Sequence, residues 1–139
     1  MTTISDFNGV VAAADDWIND LMRRLGWQDR ERVYRALLAS LHALRDCLAR
    51  DEAVYIGAQL PTLLRGLYYE GWHPSTRPTT RSRSAFLERI HDGMNRDLGV
   101  DAEQVARAVF ALLAARLPAA EIEDAKAATP SVLHNLWPS

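Results

Sequence analysis

The sequence predicts an all-α protein, a helical bundle of about eight helices formed from two tandem four-helix repeats. Three observations carry that prediction. Apolar residues recur at three- and four-residue steps along most of the chain, the period of one helix face. No segment shows the every-second-residue alternation of a half-buried strand. The two halves also match each other at a nearly constant offset, the mark of a duplicated unit.

Asp6 is placed to cap helix one, in which Phe7, Val10, Val11, Ala14, Trp17, Ile18, Leu21, Met22 and Leu25 share a stripe that stops at Gly26. Asp29 opens helix two. Val33, Ala36, Leu37, Leu41, Leu44 and Leu48 form its apolar stripe, with Arg30, Arg32, Arg35, Arg45 and Asp46 assigned to the outer face. Asp51 caps a short third helix running through about Ala58. Pro61 suits a first helical turn, where its missing N–H is not needed, and starts a fourth helix ending at Gly71.

The stretch from His73 to Ser84 is rich in Pro, Arg and hydroxyl residues and has no apolar period, so it reads as an exposed linker. Ser84 then begins the pattern again. Phe86, Leu87, Ile90, Met94 and Leu98 define a helix stopped at Gly99, and Asp101 with Gln104 resembles a capping box for the next. That helix carries Val105, Ala108, Val109, Leu112, Leu113 and Leu117. A short helix from Glu121 to Ala127 follows. Thr129 and Pro130 open the last one, with Val132, Leu133, Leu136 and Trp137.

Overlaying the halves aligns Val33, Arg35 and Ala36 with Val105, Arg107 and Ala108 at a spacing of 72. Leu48, Glu52, Pro61, Leu64 and Leu67 align with Leu117, Glu121, Pro130, Leu133 and Leu136 at a spacing of 69. The change of phase falls inside the long helix and is close to the 3.6 residues of one turn, so it shortens the helix without greatly rotating its apolar face. The expected organisation is a single domain over 1–139, with repeat one at 5–72, a linker at 73–84 and repeat two at 85–139.

A chain of 139 residues with 48% apolar and 24% charged side chains buries enough surface to fold unaided. Its net charge of −2 supplies no global field for nucleic acid or an anionic membrane, so both are disfavoured as partners. Lys126 is the only lysine among 16 basic residues, a skew that reads as composition because the arginines are interleaved with acids. The single cysteine, Cys47, excludes an internal disulfide and a thiolate metal cluster. The start of the chain has no basic-then-apolar leader pattern, and the longest apolar run, Ala108 to Ala115, falls far short of the ~20 residues of a membrane span. A cytoplasmic location is expected, with no membrane partner and no cofactor.

Two blocks, GWQDRERVYRALLASLHALRD and AQLPTLLRGLYYEGW, closely resemble the bacterial family known as domain of unknown function 2267. The FLERI segment near Phe86 and the terminal LHNLWPS are similar to it as well, so the resemblance covers nearly the whole chain. It implies a small helical bacterial protein and brings no established activity, cofactor or catalytic residue. As context only, it implies occurrence beside or fused to stress-related regulatory modules. The linker TRPTTRSRS departs in detail from the family's usual basic loop.

Glu88 and His91 form an E-x-x-H, the spacing of half a di-iron site, but the matching region of helix one, Asp16 to Asn19, has no His to complete it. They are weak metal candidates, and a solvent-facing pair is the simpler reading. His42 and Asp46 stand four apart on helix two, yet Ser40 lies on another face and no nucleophile completes a triad. No H-E-x-x-H, phosphate-cradling loop or dinucleotide fingerprint occurs. Trp17 and Trp27 read as core aromatics.

Arg65, Tyr68, Tyr69, Glu70 and Trp72 combine rigid aromatic area with charge, as binding hot spots do. Core packing of Leu64, Leu67 and Tyr68 is the competing reading. With Arg77, Arg81 and Arg83 of the adjoining loop they form the candidate binding surface. The expected function is a non-catalytic helical interaction or regulatory module acting on a protein partner or on a second copy. The alternative is a small-molecule or metal-binding protein with its site between the repeats.

Overall fold

The computed structural model describes residues 4–74 and 77–139. Among these it has seven α-helices and a closing 3₁₀ helix, and no strand. The order is α1 (Ile4–Leu25), α2 (Arg30–Cys47), α3 (Arg50–Ala58), α4 (Thr62–Tyr69), α5 (Arg83–Gly93), α6 (Ala102–Arg116), α7 (Ala119–Ala128) and the 3₁₀ helix Ser131–Leu136. Among the described residues no helix is long and apolar enough to cross a membrane.

The caps explain where the helices start. Asp29 accepts from the N–H groups of Glu31 and Arg32 at 3.1 and 3.3 Å, satisfying two donors that have no partner within α2. Asp101 does the same for Glu103 and Gln104 at 3.0 and 3.3 Å. Ser82, rather than Ser84, caps α5 by accepting from the Ala85 N–H at 3.1 Å. Asp6 and Asp51 lie inside the first turns of α1 and α3, where a carboxylate complements the helix dipole. Pro61 and Pro130 occupy the cap position itself, one residue earlier than a first-turn proline, at nearly equal dihedrals (φ −55°, ψ 151° and φ −57°, ψ 146°).

Two helices also differ from expectation. The helix carrying Phe86 stops at Gly93 rather than Gly99, because Asn95 (φ 58°) and Arg96 (φ 52°) turn left-handed and the Arg96 N–H reaches the His91 carbonyl at 2.9 Å. Leu98 is left exposed as a result. The last helix tightens to 3₁₀ form.

α2 is the hub, packed by α1, α4, α5 and α6. The sequence marks one apolar stripe on it, but Ala39, Ser40 and Ala43 are buried as well. The small size of Ala39 lets α5 approach closely, and a Cβ added at Gly93 would stand 2.5 Å from that of Ala39. Arg45, assigned above to the outer face, is only 3% exposed. Ala14, Trp17, Leu21 and Leu25 of α1, Leu64 and Tyr68 of α4, Phe86 and Ile90 of α5, and Val109 and Phe110 of α6 join the same core cluster. Trp137 stacks on Phe110 with centroids 4.1 Å apart and closes the bundle at its C-terminal end. Along α1 from Asp6 onward the first buried residue is Ala14; Phe7 remains 61% exposed.

Candidate functional site

A helix C-terminus leaves carbonyls without intrahelical partners, and the segment linking α4 to α5 supplies donors to the end of α2. The Thr79 N–H donates to the Asp46 carbonyl at 2.8 Å, and Arg81 Nη1 donates to the Cys47 carbonyl, also at 2.8 Å. A guanidinium is favourable at that negative helix end. Thr80 Oγ1 donates to the Ala43 carbonyl at 2.7 Å, and Thr80 is 4% exposed. The second half of the segment stays largely exposed, with Thr80 alone buried, and is tied to α2 by hydrogen bonds rather than by apolar packing.

Arg45 reaches under this segment. Its Nη1 donates to the Tyr68 and Glu70 carbonyls at 2.8 and 2.9 Å, and its Nε and Nη2 donate to the two Asp46 carboxylate oxygens at 2.8 and 3.3 Å. Asp46 Oδ2 also accepts from Arg89 Nε of α5 at 3.4 Å. A buried guanidinium is tolerated because its charge is paired and its donors are used. Around this group opens a cleft of about 310 Å³ lined by Arg45, Asp46, Leu48, Gly71, Trp72, His73, Arg77, Pro78, Thr79 and Arg89.

Of the candidate binding residues, only Trp72 and Arg77 line this cleft. Trp72 is half-buried and stacks on Tyr69 with centroids 5.4 Å apart. Arg77 is exposed and has no ion pair or hydrogen bond among the described residues. Tyr68 is fully buried and donates its hydroxyl to the Ala53 carbonyl at 2.7 Å, so it belongs to the core and to no surface. Tyr69 donates to the Val54 carbonyl at 3.2 Å. Arg65 donates to the Gly57, Ala58 and Leu60 carbonyls and closes the end of α3. Glu70 is exposed and contributes its backbone carbonyl to Arg45. Arg81 is held by Cys47, and Arg83 pairs with Glu103 and Asn135, away from the cleft.

Arg45 and Arg89 entered no candidate set. A legible signal existed for Arg45, which stands four residues after Leu41 and three before Leu48 and so falls on the buried stripe of α2. Arg89 is brought in only by the crossing of α5 over α2.

The weak metal candidates have other partners. Glu88 pairs with Arg96 at 2.9 Å, and His91 Nε2 lies 2.8 Å from the Asp97 carbonyl, which requires its N–H there and uses that nitrogen. Among the described residues no group of three or more His, Cys, Asp or Glu is placed to hold a metal ion. His42 Nε2 bonds the Leu67 carbonyl while Asp46 serves Arg45 and Arg89, so the two form no acid–base pair. Burial pushes the Cys47 thiol up to about 12, far from nucleophilic. A second groove of about 290 Å³ lies between α3 and α7, lined by Asp51, Glu52, Tyr55, Ile56 and Asp124. There the neighbouring Glu121 carboxylate holds the Tyr55 phenol above its ordinary pKa.

A family model described as "Uncharacterized conserved protein (DUF2267)" matches residues 14–136. No curated protein matches the chain.

Proposed function

The chain belongs to this uncharacterised helical family, and we propose that it is a non-catalytic interaction or regulatory module of the bacterial cytoplasm, working through the cleft that Trp72 and Arg77 line. The observation that carries this reading is a division of labour among the polar groups. Arg65, Arg81 and Arg83 are tied to the protein's own acceptors, whereas Arg77 makes no hydrogen bond or ion pair among the described residues and lines the opening together with Trp72, which is stacked on Tyr69. Rigid aromatic area beside an uncommitted guanidinium is what partner surfaces favour. Stress-related regulation is the setting that the family resemblance implies.

The scaffold of this module is, on the same reading, two diverged copies of one four-helix unit, at 5–72 and 85–139, joined at 73–84. The matched Asp29 and Asp101 caps support it, as do the extended C-caps Leu48 (φ −101°, ψ 152°) and Leu117 (φ −101°, ψ 155°) and the paired prolines. The cleft then sits where the first copy, the joining segment and Arg89 of the second copy meet.

The test is affinity capture from the native host with the wild type, Trp72→Ala and Arg77→Ala, alongside light scattering to detect self-association. A partner or second copy retained by the wild type and lost from both variants is expected. A strict monomer that captures nothing, or capture indifferent to both changes, contradicts the proposal. The second reading, a small-molecule site between the copies, draws on the same cleft; native mass spectrometry showing a stoichiometric small ligand that leaves on Arg77→Ala would favour it.

A further inference from the structure

We propose that the cleft recognises an acidic segment of a partner protein, one carboxylate meeting Arg77 and Arg89 while a neighbouring apolar side chain rests on Trp72. This rests on the reading of the cleft as the interaction site and adds the chemistry of what enters it.

The charge count fixes the sign of the ligand. Three guanidiniums line the cleft against the single carboxylate of Asp46, and both oxygens of that carboxylate are already engaged by Arg45 and Arg89. Arg89 spends only its Nε on Asp46, and Arg77 spends nothing among the described residues. Arg45 is locked by carbonyls and Asp46, so the floor of the cleft is rigid and its residual positive charge is permanent. Fork-shaped donors of this kind match the planar carboxylate.

The remaining features select a protein rather than a nucleic-acid strand. A strand needs cations repeated along its backbone, but Arg65, Arg81 and Arg83 are turned to carbonyls or acids of their own chain and extend no such track. The chain as a whole carries −2, and Glu70 is exposed beside the site. What remains is one concentrated positive point next to an apolar wall of Trp72, Leu48 and Pro78. About 310 Å³ accommodates one or two side chains, the scale of an acidic residue followed by an aromatic one.

The probe is a fluorescein-labelled ten-residue peptide with one Phe flanked by Asp and Glu, followed by anisotropy against the full-length protein. Its amide twin, with Asn and Gln in place of the acids, is the control, and inorganic phosphate and an oligo-dT serve as competitors. Arg77→Ala should weaken binding about tenfold or more, the loss of one charge-assisted pair. Trp72→Ala should weaken it as well, the amide twin should not bind, and Arg35→Ala on the distant part of α2 should change nothing. Equal binding of the amide twin, or indifference to Arg77→Ala with an unchanged melting curve, overturns the proposal. Displacement by millimolar phosphate or by oligo-dT overturns it in favour of a phosphate ligand. If the peptide fails while host capture still depends on Trp72, the acidic-segment inference falls and the interaction module stands; if both fail, both fall.

Discussion

His42 is partly buried on α2 with Nε2 2.8 Å from the Leu67 carbonyl. Desolvation lowers its pKa below the ordinary value; the hydrogen bond to Leu67 opposes this, Arg45 and Arg89 add to it, and Asp46 opposes it again. Between that lowered pKa and the unfolded value of about 6.5, the unfolded chain binds more protons than the folded one. The stability His42 contributes is therefore present above about pH 6.5 and is lost as pH falls toward the folded pKa. The urea midpoint of the wild type should drop between pH 7 and pH 5 more than that of His42→Gln, whose amide keeps a donor for Leu67. Equal drops in both proteins would show that this imidazole stays solvated. Arg45 shows what the residue scale reveals in the sequence and what it conceals. Its position on the Leu41–Leu48 stripe was legible, but its charge argued for solvent, and the carbonyls and carboxylate that compensate burial come from residues the helical period does not locate.

At the scale of elements, the α2–α5 crossing depends on Gly93 meeting Ala39 without a side chain between them. Gly93→Ala should force the helices apart and cost about 1–3 kcal/mol, as overpacking of a filled core does, even though alanine favours helix. Chemical denaturation of the variant measures it, and a stability equal to or above the wild type would show that the crossing can relax. Helix existence was legible nearly everywhere because period and caps agreed, as at Asp29 and Asp101. The ends were less so. Gly99 looked like the stop for α5, yet Asn95 and Arg96 took the left-handed turn earlier, stabilised by the Arg96 side chain on Glu88 and Asp92. The segment after α4 looked solvated because it lacks apolar residues, and its attachment through Thr79, Thr80 and Arg81 uses hydrogen bonds to α2 that no local pattern announces.

For the molecule as a whole, the core draws on helices from both halves, and the cleft exists only because α2, the joining segment and α5 converge. That convergence explains why half of the site was legible. Trp72 and Arg77 lie in one composition-rich stretch, while Arg45 and Asp46 stand 27 and 26 residues before Trp72 and Arg89 stands 12 residues after Arg77, on another helix. It also explains why Tyr68, a hot-spot residue by type, is fully buried: α4 must present one face to α2 before it can present another to a partner. The most direct measurement is a chemical-shift map of the isotope-labelled protein titrated with whatever the host supplies by affinity capture. The largest changes should fall on the Trp72 indole, the Arg77 and Arg89 side chains and the Thr79 amide. Changes confined to the α3–α7 groove around Tyr55 and Asp124, with the Trp72 indole unmoved, would contradict the assignment of the cleft.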